Sequence, residues 1–278
     1  MIERKTQGSI VCPNCGRLIS VNSKECMHCG RKNPSLWGYG PALQKILGDG
    51  NMVAIITGVS VVLYVLSLLL DPSAIFRPQG MLGFLAPSHQ ALLKLGMTGT
   101  VPMYYGRWWT LVTAIYLHGG VLHILFNMLW LRNLGHMVVQ LFGTSRSFII
   151  FTISGILGFL ISNMVGIYFT IGASGSIFGL LGALVFYGRK RGGVFGSAIY
   201  RQVGTWTIVL LVFGFLMPGV NNLAHIGGFI GGFLSALLLG FHESKPENQT
   251  HRLFALIAVL LTVICFGLAV YVWILGGN

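Results

Sequence analysis

Between Asp71 and Glu243 the sequence contains no carboxylate side chain. A water-soluble stretch of that length would carry many, because about a quarter of an ordinary globular chain is charged. Here charged residues make up 9% of 278 residues and hydrophobic ones 54%. The six acidic residues, Glu3, Glu25, Asp49, Asp71, Glu243 and Glu247, all lie at or beyond the ends of that stretch. The composition is that of a chain whose main solvent is the bilayer, and it limits the chemistry available inside.

A helix crosses a bilayer with about 20 mostly apolar residues. Seven runs meet that length or approach it: Met52–Leu70, Gly119–Gln140, Ser147–Val165, Ile171–Tyr187, Val203–Met217, Asn222–Phe241 and Leu253–Leu275. The fourth and fifth read as short, and the third-to-fourth loop as only a few residues. The first run follows a cysteine-rich segment and is expected to act as an uncleaved signal anchor. Asp71 to about Leu117 is broken by Pro72, Pro78, Pro87 and Pro102. It reads as short helices and turns, with aromatic residues suited to the membrane interface. The expected fold is all-α, a polytopic membrane helical bundle over 52–278.

The formal net charge is +12. Most of it sits in short segments flanking apolar runs, which signals topology and not a nucleic-acid stripe. With the N-terminus cytoplasmic, fifteen of the eighteen Lys and Arg residues fall on the cytoplasmic side. Only Arg77, Lys94 and Arg107 fall on the other, and the C-terminus faces outward. A cytoplasmic start of this kind fits a bacterial plasma membrane.

The first 36 residues are different in character, and 37–51 reads as a linker. Cys12-Pro-Asn-Cys15-Gly and Cys26-Met-His-Cys29-Gly form two matched CxxC knuckles. Four thiolates converging as a tetrahedron favour zinc. Disulfides or a single iron are the alternatives, and a cytoplasmic location disfavours the disulfides. The segment resembles a zinc ribbon whose metal supplies its folding energy. Lys24, Arg31 and Lys32 are able to touch a partner protein, acidic lipid or nucleic acid, and the expected role is that of a docking or regulatory module, with a protein partner preferred over nucleic acid. The fifth cysteine, Cys265, reads as a small buried hydrophobe.

Three polar clusters interrupt the apolar spans, where polar residues are costly. His123 and Asn127, four apart, share a helix face and both donate hydrogen bonds. They are suited to holding a developing oxyanion or to joining helices. Gly172-Ala173-Ser174-Gly175-Ser176 opens the fourth span, where a helix N-terminus favours negative charge. It also reads as a small-residue packing face. Ala224-His225-Ile-Gly-Gly228 opens the sixth, with His225 at about the depth of Ser174, where it is able to act as its base.

HxxxN, GxSG and AHxxGxxxG, in this order on separate spans, resemble the rhomboid family of intramembrane serine proteases. The likeness runs from about Met52 to Phe241, and the last span resembles the family's six-plus-one layout. It implies Ser174 as nucleophile, His225 as general base, and His123, Asn127 and the Ser174 backbone N–H as the oxyanion hole. It further implies that Gly172 shapes the site and that Phe178 packs on the His225 ring. Many members carry tyrosine at the position of Phe178. Gly106-Arg107-Trp108 looks like the family's Trp-Arg region with the order changed. His118 is expected near a water-accessible mouth. The implied substrates are transmembrane proteins in the lipid bilayer, cut without a catalytic cofactor.

The missing carboxylates independently favour a Ser–His dyad, since a buried third acid has no source. A catalytically dead scaffold would tend to lack Ser174 or His225, and both are present. A transporter would want paired charges at mid-membrane. A zinc protease would want HExxH, which does not occur.

Overall fold

The computed structural model describes residues 4–12, 16–39, 51–76, 85–244 and 247–275. Cys15, Arg77, Lys245 and most of the expected linker lie outside the described residues. The chain divides into two compact units, Met1–Met52 and Val53–Asn278.

In the first unit, strands β1 (Ser9–Val11) and β2 (Leu18–Ser20) pair antiparallel, with Ile10 opposite Ile19. Alternation along each strand buries those two isoleucines on one face. Beneath them lie Val21, Cys12 and Cys26, with Cys29 packed alongside. So small an apolar cluster cannot offset the ordering of the unit by burial alone.

The second unit is helical. Its long helices are α1 (Asn51–Leu69), α2 (Val121–Phe142), α3 (Thr144–Met164), α4 (Ser174–Arg191), α5 (Gly193–Leu216), α6 (Asn222–Leu239) and α7 (Gln249–Ile274). Among the described residues between α1 and α2 the helices are short pieces, including His89–Lys94, Thr100–Tyr104 and Thr110–Thr113. The prolines and glycines that punctuate the segment account for them. Apolar side chains stand exposed around the bundle, such as Leu238, Leu260 and Val263. Exposed apolar surface on that scale is what a lipid-facing protein presents.

Five described helices, α1, α3, α5, α6 and α7, are long and apolar enough to cross a membrane. A sixth crossing arises if Thr110–Tyr116 and α2, bent by 91° at the break, count as one. The remaining expected span, α4, is a helix but does not qualify on apolarity. It ends in Arg189-Lys190-Arg191 and thirteen of its eighteen residues are buried. Walled in by other helices, it has no need of a lipid-facing apolar surface.

Glycine contacts explain how α4 is enclosed. A side chain on Gly228 of α6 would overlap the Gly175 carbonyl, and one on Gly232 would overlap the Gly179 carbonyl. The two backbones therefore touch at two points about one turn apart, which only small residues permit. Helix α3 also packs on α4, with Gly155 against Ser176 and Ser154 against Gly179.

Two expected boundaries need correction. Helix α5 starts at Gly193, ten residues before the predicted Val203, and is not short. Its glycines read as loop, yet Gly196 lies against the Gly188 carbonyl, where the absence of a side chain lets α5 pack on α4. The loop between α3 and α4 is also longer than expected, running from Val165 to Ala173. Apolar Ile171 suggested a helix start. Instead Thr170 forms a bridge with Thr98, and Gly172 takes φ +119°, a conformation incompatible with helix.

Candidate active site and metal centre

Ser174 is the first residue of α4, and no side chain caps that helix. Its opening N–H groups have no intrahelical acceptor and are free to bind negative charge. The chain leading into it is fixed twice. Thr170 N–H donates to the Thr98 carbonyl at 2.8 Å, and Gly172 N–H donates to the Ala114 carbonyl at 2.9 Å.

The His225 ring, in the first turn of α6, is buried. It stacks on Phe178, with centroids 4.3 Å apart and planes 14° from parallel. Phe178 lies one helical turn beyond Ser174, so the stack places the imidazole beside the start of α4. Gly175 packs against Ala224 on the same level. His225 Nδ1 is buried and has no hydrogen-bond partner among the described residues. Ser174 and His225 share no hydrogen bond among the described residues.

On α2, His123 Nδ1 accepts from the Gly119 backbone N–H at 3.2 Å. An accepting Nδ1 places the ring proton on Nε2. That nitrogen faces Gly172: a Cβ built there would lie 2.7 Å from His123 Nε2 and 3.9 Å from Ser174 Oγ. Gly172 is thus required both by its positive φ and by the space it leaves between the two groups. Asn127 is buried and donates one Nδ2 hydrogen to the His123 carbonyl at 2.8 Å, which leaves its second hydrogen available.

His118 sits at the bend before α2 and is fully buried, not at a solvent-open mouth. The bend folds it inward, where it meets the His123 ring edge-on at 5.1 Å. Its Nδ1 donates to the Tyr116 carbonyl at 3.2 Å.

Asn221 has a part that motif reading missed. Its Oδ1 accepts from Ala224 N–H at 3.1 Å and so caps α6. Its Nδ2 donates to Ser162 Oγ at 2.9 Å and Thr170 Oγ1 at 3.0 Å. One amide therefore ties the start of α6 to α3 and to the segment before Ser174. An Asn ahead of an apolar helix signals the cap, but nothing in the sequence signals the two long-range donors.

In the N-terminal unit, Cys12, Cys26 and Cys29 hold their sulfurs within 4.8 Å of one another. The described ends of the two knuckles match. Gly16 N–H donates to the Cys12 carbonyl and Gly30 N–H to the Cys26 carbonyl, both at 2.9 Å. Both glycines have φ near +70°. Tetrahedral zinc with bonds of about 2.3 Å would separate its sulfurs by about 3.8 Å. Cys12 and Cys29 are 3.8 Å apart, so the donor set fits such an ion. His28 is exposed and pairs with Arg17, away from the sulfurs.

Comparison with known proteins adds the family. The rhomboid domain model matches residues 105–242. Rhomboid protease GluP of Bacillus subtilis (strain 168) is 36% identical over 186 residues, covering 66% of this chain and 35% of GluP. RHOMBOID-like protein 5 of Arabidopsis thaliana is 36% identical over 163 residues, 56% of this chain and 52% of that protein. Putative rhomboid protease YdcA of the same Bacillus is 31% identical over 164 residues, and the match covers 80% of it. The chain thus spans about a third of GluP and about half of the plant relative.

Proposed function

Since the chain belongs to the rhomboid family, we infer that it is an intramembrane serine protease. It hydrolyses peptide bonds in or near transmembrane segments of membrane proteins. Ser174 is the nucleophile and His225 the general base. The observation that carries this reading is the convergence on Gly172, where His123 Nε2 and Ser174 Oγ flank one point, together with the His225 ring stacked on Phe178 one turn beyond Ser174.

In the first step His225 takes the Ser174 hydroxyl proton as Oγ attacks the scissile carbonyl carbon. The negative charge on the carbonyl oxygen is met by His123 Nε2–H, the free Asn127 Nδ2 hydrogen and the Ser174 backbone N–H. His225 returns the proton to the leaving amine, and the C–N bond breaks. Water then attacks the Ser174 ester, again with His225 as base, releasing the acid and restoring the hydroxyl. Among the described residues no carboxylate pairs with His225, and the aromatic stack on Phe178 orients it instead. A base held this way is weaker than one in a triad, and turnover is expected to be slow.

A peptide bond inside a helix is hydrogen-bonded and shielded. Single-span substrates with a Gly or another helix-breaking residue near one end are expected to be cut at least tenfold faster than uninterrupted ones in proteoliposomes. Equal rates would contradict the reading.

Asn221 acts here as a positioning residue. Asn221→Ala removes the cap, at about 1 kcal/mol, and both long-range donors. The expected result is a fall in kcat of roughly tenfold, about 1.4 kcal/mol in the barrier. Ser162→Ala combined with Thr170→Val keeps the Asn221 cap and removes both partners of the bridge. If that variant kept full kcat, the bridge to Thr170 and Ser162 would have no catalytic part.

The N-terminal unit, residues 1–36 joined by 37–51 to the protease domain 52–278, is proposed to hold structural zinc through Cys12, Cys15, Cys26 and Cys29 and to dock a protein partner. The protein is proposed to reside in a bacterial plasma membrane, N-terminus cytoplasmic and C-terminus outside. Elemental analysis is expected to find about one zinc per chain, lost in Cys26→Ser. A chelator is expected to make Val21 and Ile19 backbone amides exchange freely, because the metal supplies the unit's folding energy. Unchanged exchange after metal removal would rule that out.

A further inference from the structure

None of the site residues named above lies on α7, yet α7 packs on α3 and on Thr110–Thr113. Cys265 and Ala269, both buried, mark its inward face, and Thr262 and Phe266 share that face by spacing. Thr262 and Phe266 both meet Tyr116, which is buried. The Phe266 ring approaches the Tyr116 ring edge-on, with centroids 5.8 Å apart. The Tyr116 hydroxyl makes a hydrogen bond with the Thr262 side chain. Thr262 Oγ1 donates its own proton to the Ala258 carbonyl at 2.8 Å, so toward Tyr116 it is the acceptor. From α3, Phe151 closes on the same ring at 6.4 Å.

Tyr116 ends the turn Ala114–Tyr116, just before the 91° bend into α2. Two carbonyls of that turn hold parts of the site. The Ala114 carbonyl accepts from Gly172 N–H at 2.9 Å. The Tyr116 carbonyl accepts from His118 Nδ1 at 3.2 Å. His118 Nε2 is buried and makes no hydrogen bond among the described residues, so the Tyr116 carbonyl sets the ring. That ring meets His123 edge-on at 5.1 Å. Gly172 stands between His123 Nε2 and Ser174 Oγ. One turn therefore carries both neighbours of the His123 donor, and α7 holds that turn.

We propose that α7 positions the oxyanion site: Thr262 and Phe266 hold Tyr116, and the Ala114–Tyr116 turn fixes Gly172 and the His118 ring against His123. Thr262 and Tyr116 are positioning residues, acting through His118 and Gly172. The proposal rests on the protease reading given above. Donors placed before charge develops stabilise it without reorganising during the reaction. A loosened turn should therefore slow the chemical step and leave substrate binding as it was.

The test joins steady-state cleavage in detergent with ring-nitrogen NMR of the full chain carrying isotope-labelled histidine. Thr262→Val keeps the side-chain shape and removes the hydroxyl. It is expected to lower kcat about fivefold with KM unchanged, the size of one net hydrogen bond. Thr262→Ser keeps the hydroxyl and should restore kcat. Tyr116→Phe combined with Thr262→Val should be no slower than either alone, because both remove the same contact. The His118 ring nitrogens should shift in Thr262→Val and return in Thr262→Ser. Ring nitrogens that do not move in Thr262→Val would overturn the proposal whatever the activity. So would an unchanged kcat, a loss that Thr262→Ser fails to restore, or losses that multiply in the double variant. Shifts that follow the hydroxyl in a chain without Ser174-dependent cleavage would instead overturn the protease reading, and the catalytic part of α7 with it.

Discussion

Ser174→Ala is expected to lower cleavage of a transmembrane substrate by about 10⁴-fold or more, and His225→Ala by a similar factor. Each factor of ten is 1.36 kcal/mol, so the loss is about 5.5 kcal/mol of transition-state stabilisation. The double variant should be little slower than either single one. Nucleophile and base act as a unit, and once one is missing the other has nothing to activate. What remains is the contribution of the oxyanion donors alone. Neither substitution should unfold the bundle. Ser174 Oγ makes no hydrogen bond that holds α4 in place, and the start of α6 is capped by Asn221, not by His225. Steady-state kinetics on the three variants, with thermal unfolding as the control, gives the answer. Losses that multiply in the double variant would mean that the two residues act separately.

The largest effect on stability is expected at Gly232. A Val side chain there would begin inside the Gly179 carbonyl, backbone against backbone, with no flexible group able to move aside. Overpacking a tight core costs about 1–3 kcal/mol when side chains yield. Here α4 and α6 must separate along the whole interface, so Gly232→Val is expected to exceed 4 kcal/mol and to destroy activity with the fold. Gly204→Ala is the matched control. It lies in α5 with open space where its side chain would stand, and it should be neutral. The two variants are compared by thermal unfolding in detergent. A melting temperature for Gly232→Val within a few degrees of the unaltered chain would show that the α4–α6 contact is not the structural centre.

How far the sequence could be read depends on which forces set each feature. Apolar length and small-residue spacing are local, so the helices and the Gly228/Gly232 face of α6 were legible. Ser174, His225, His123 and Asn127 stand out as polar residues inside apolar runs, but their proposed roles come from the resemblance of the three motifs taken together. Features set by contacts distant in the chain were not legible. The Asn221 bridge spans more than fifty residues to Thr170 and to Ser162. The Thr98–Thr170 pairing that fixes the approach to Ser174 crosses from the broken segment before α2. The start of α5 was obscured because its glycines serve close packing, whereas in sequence they look like breaks. His118 was misplaced because the 91° bend before α2, which turns it inward, is not encoded in any periodicity.

The central claim is that Ser174 is an activated nucleophile and not a packing serine. The most direct measurement is covalent labelling of the detergent-solubilised chain with a serine-directed fluorophosphonate, located by peptide mass mapping. The prediction is one adduct on Ser174, absent in Ser174→Ala and reduced to background in His225→Ala although the serine is still there. Labelling of Ser174 that persists undiminished in His225→Ala, or no label on Ser174 in the unaltered chain, would contradict the account.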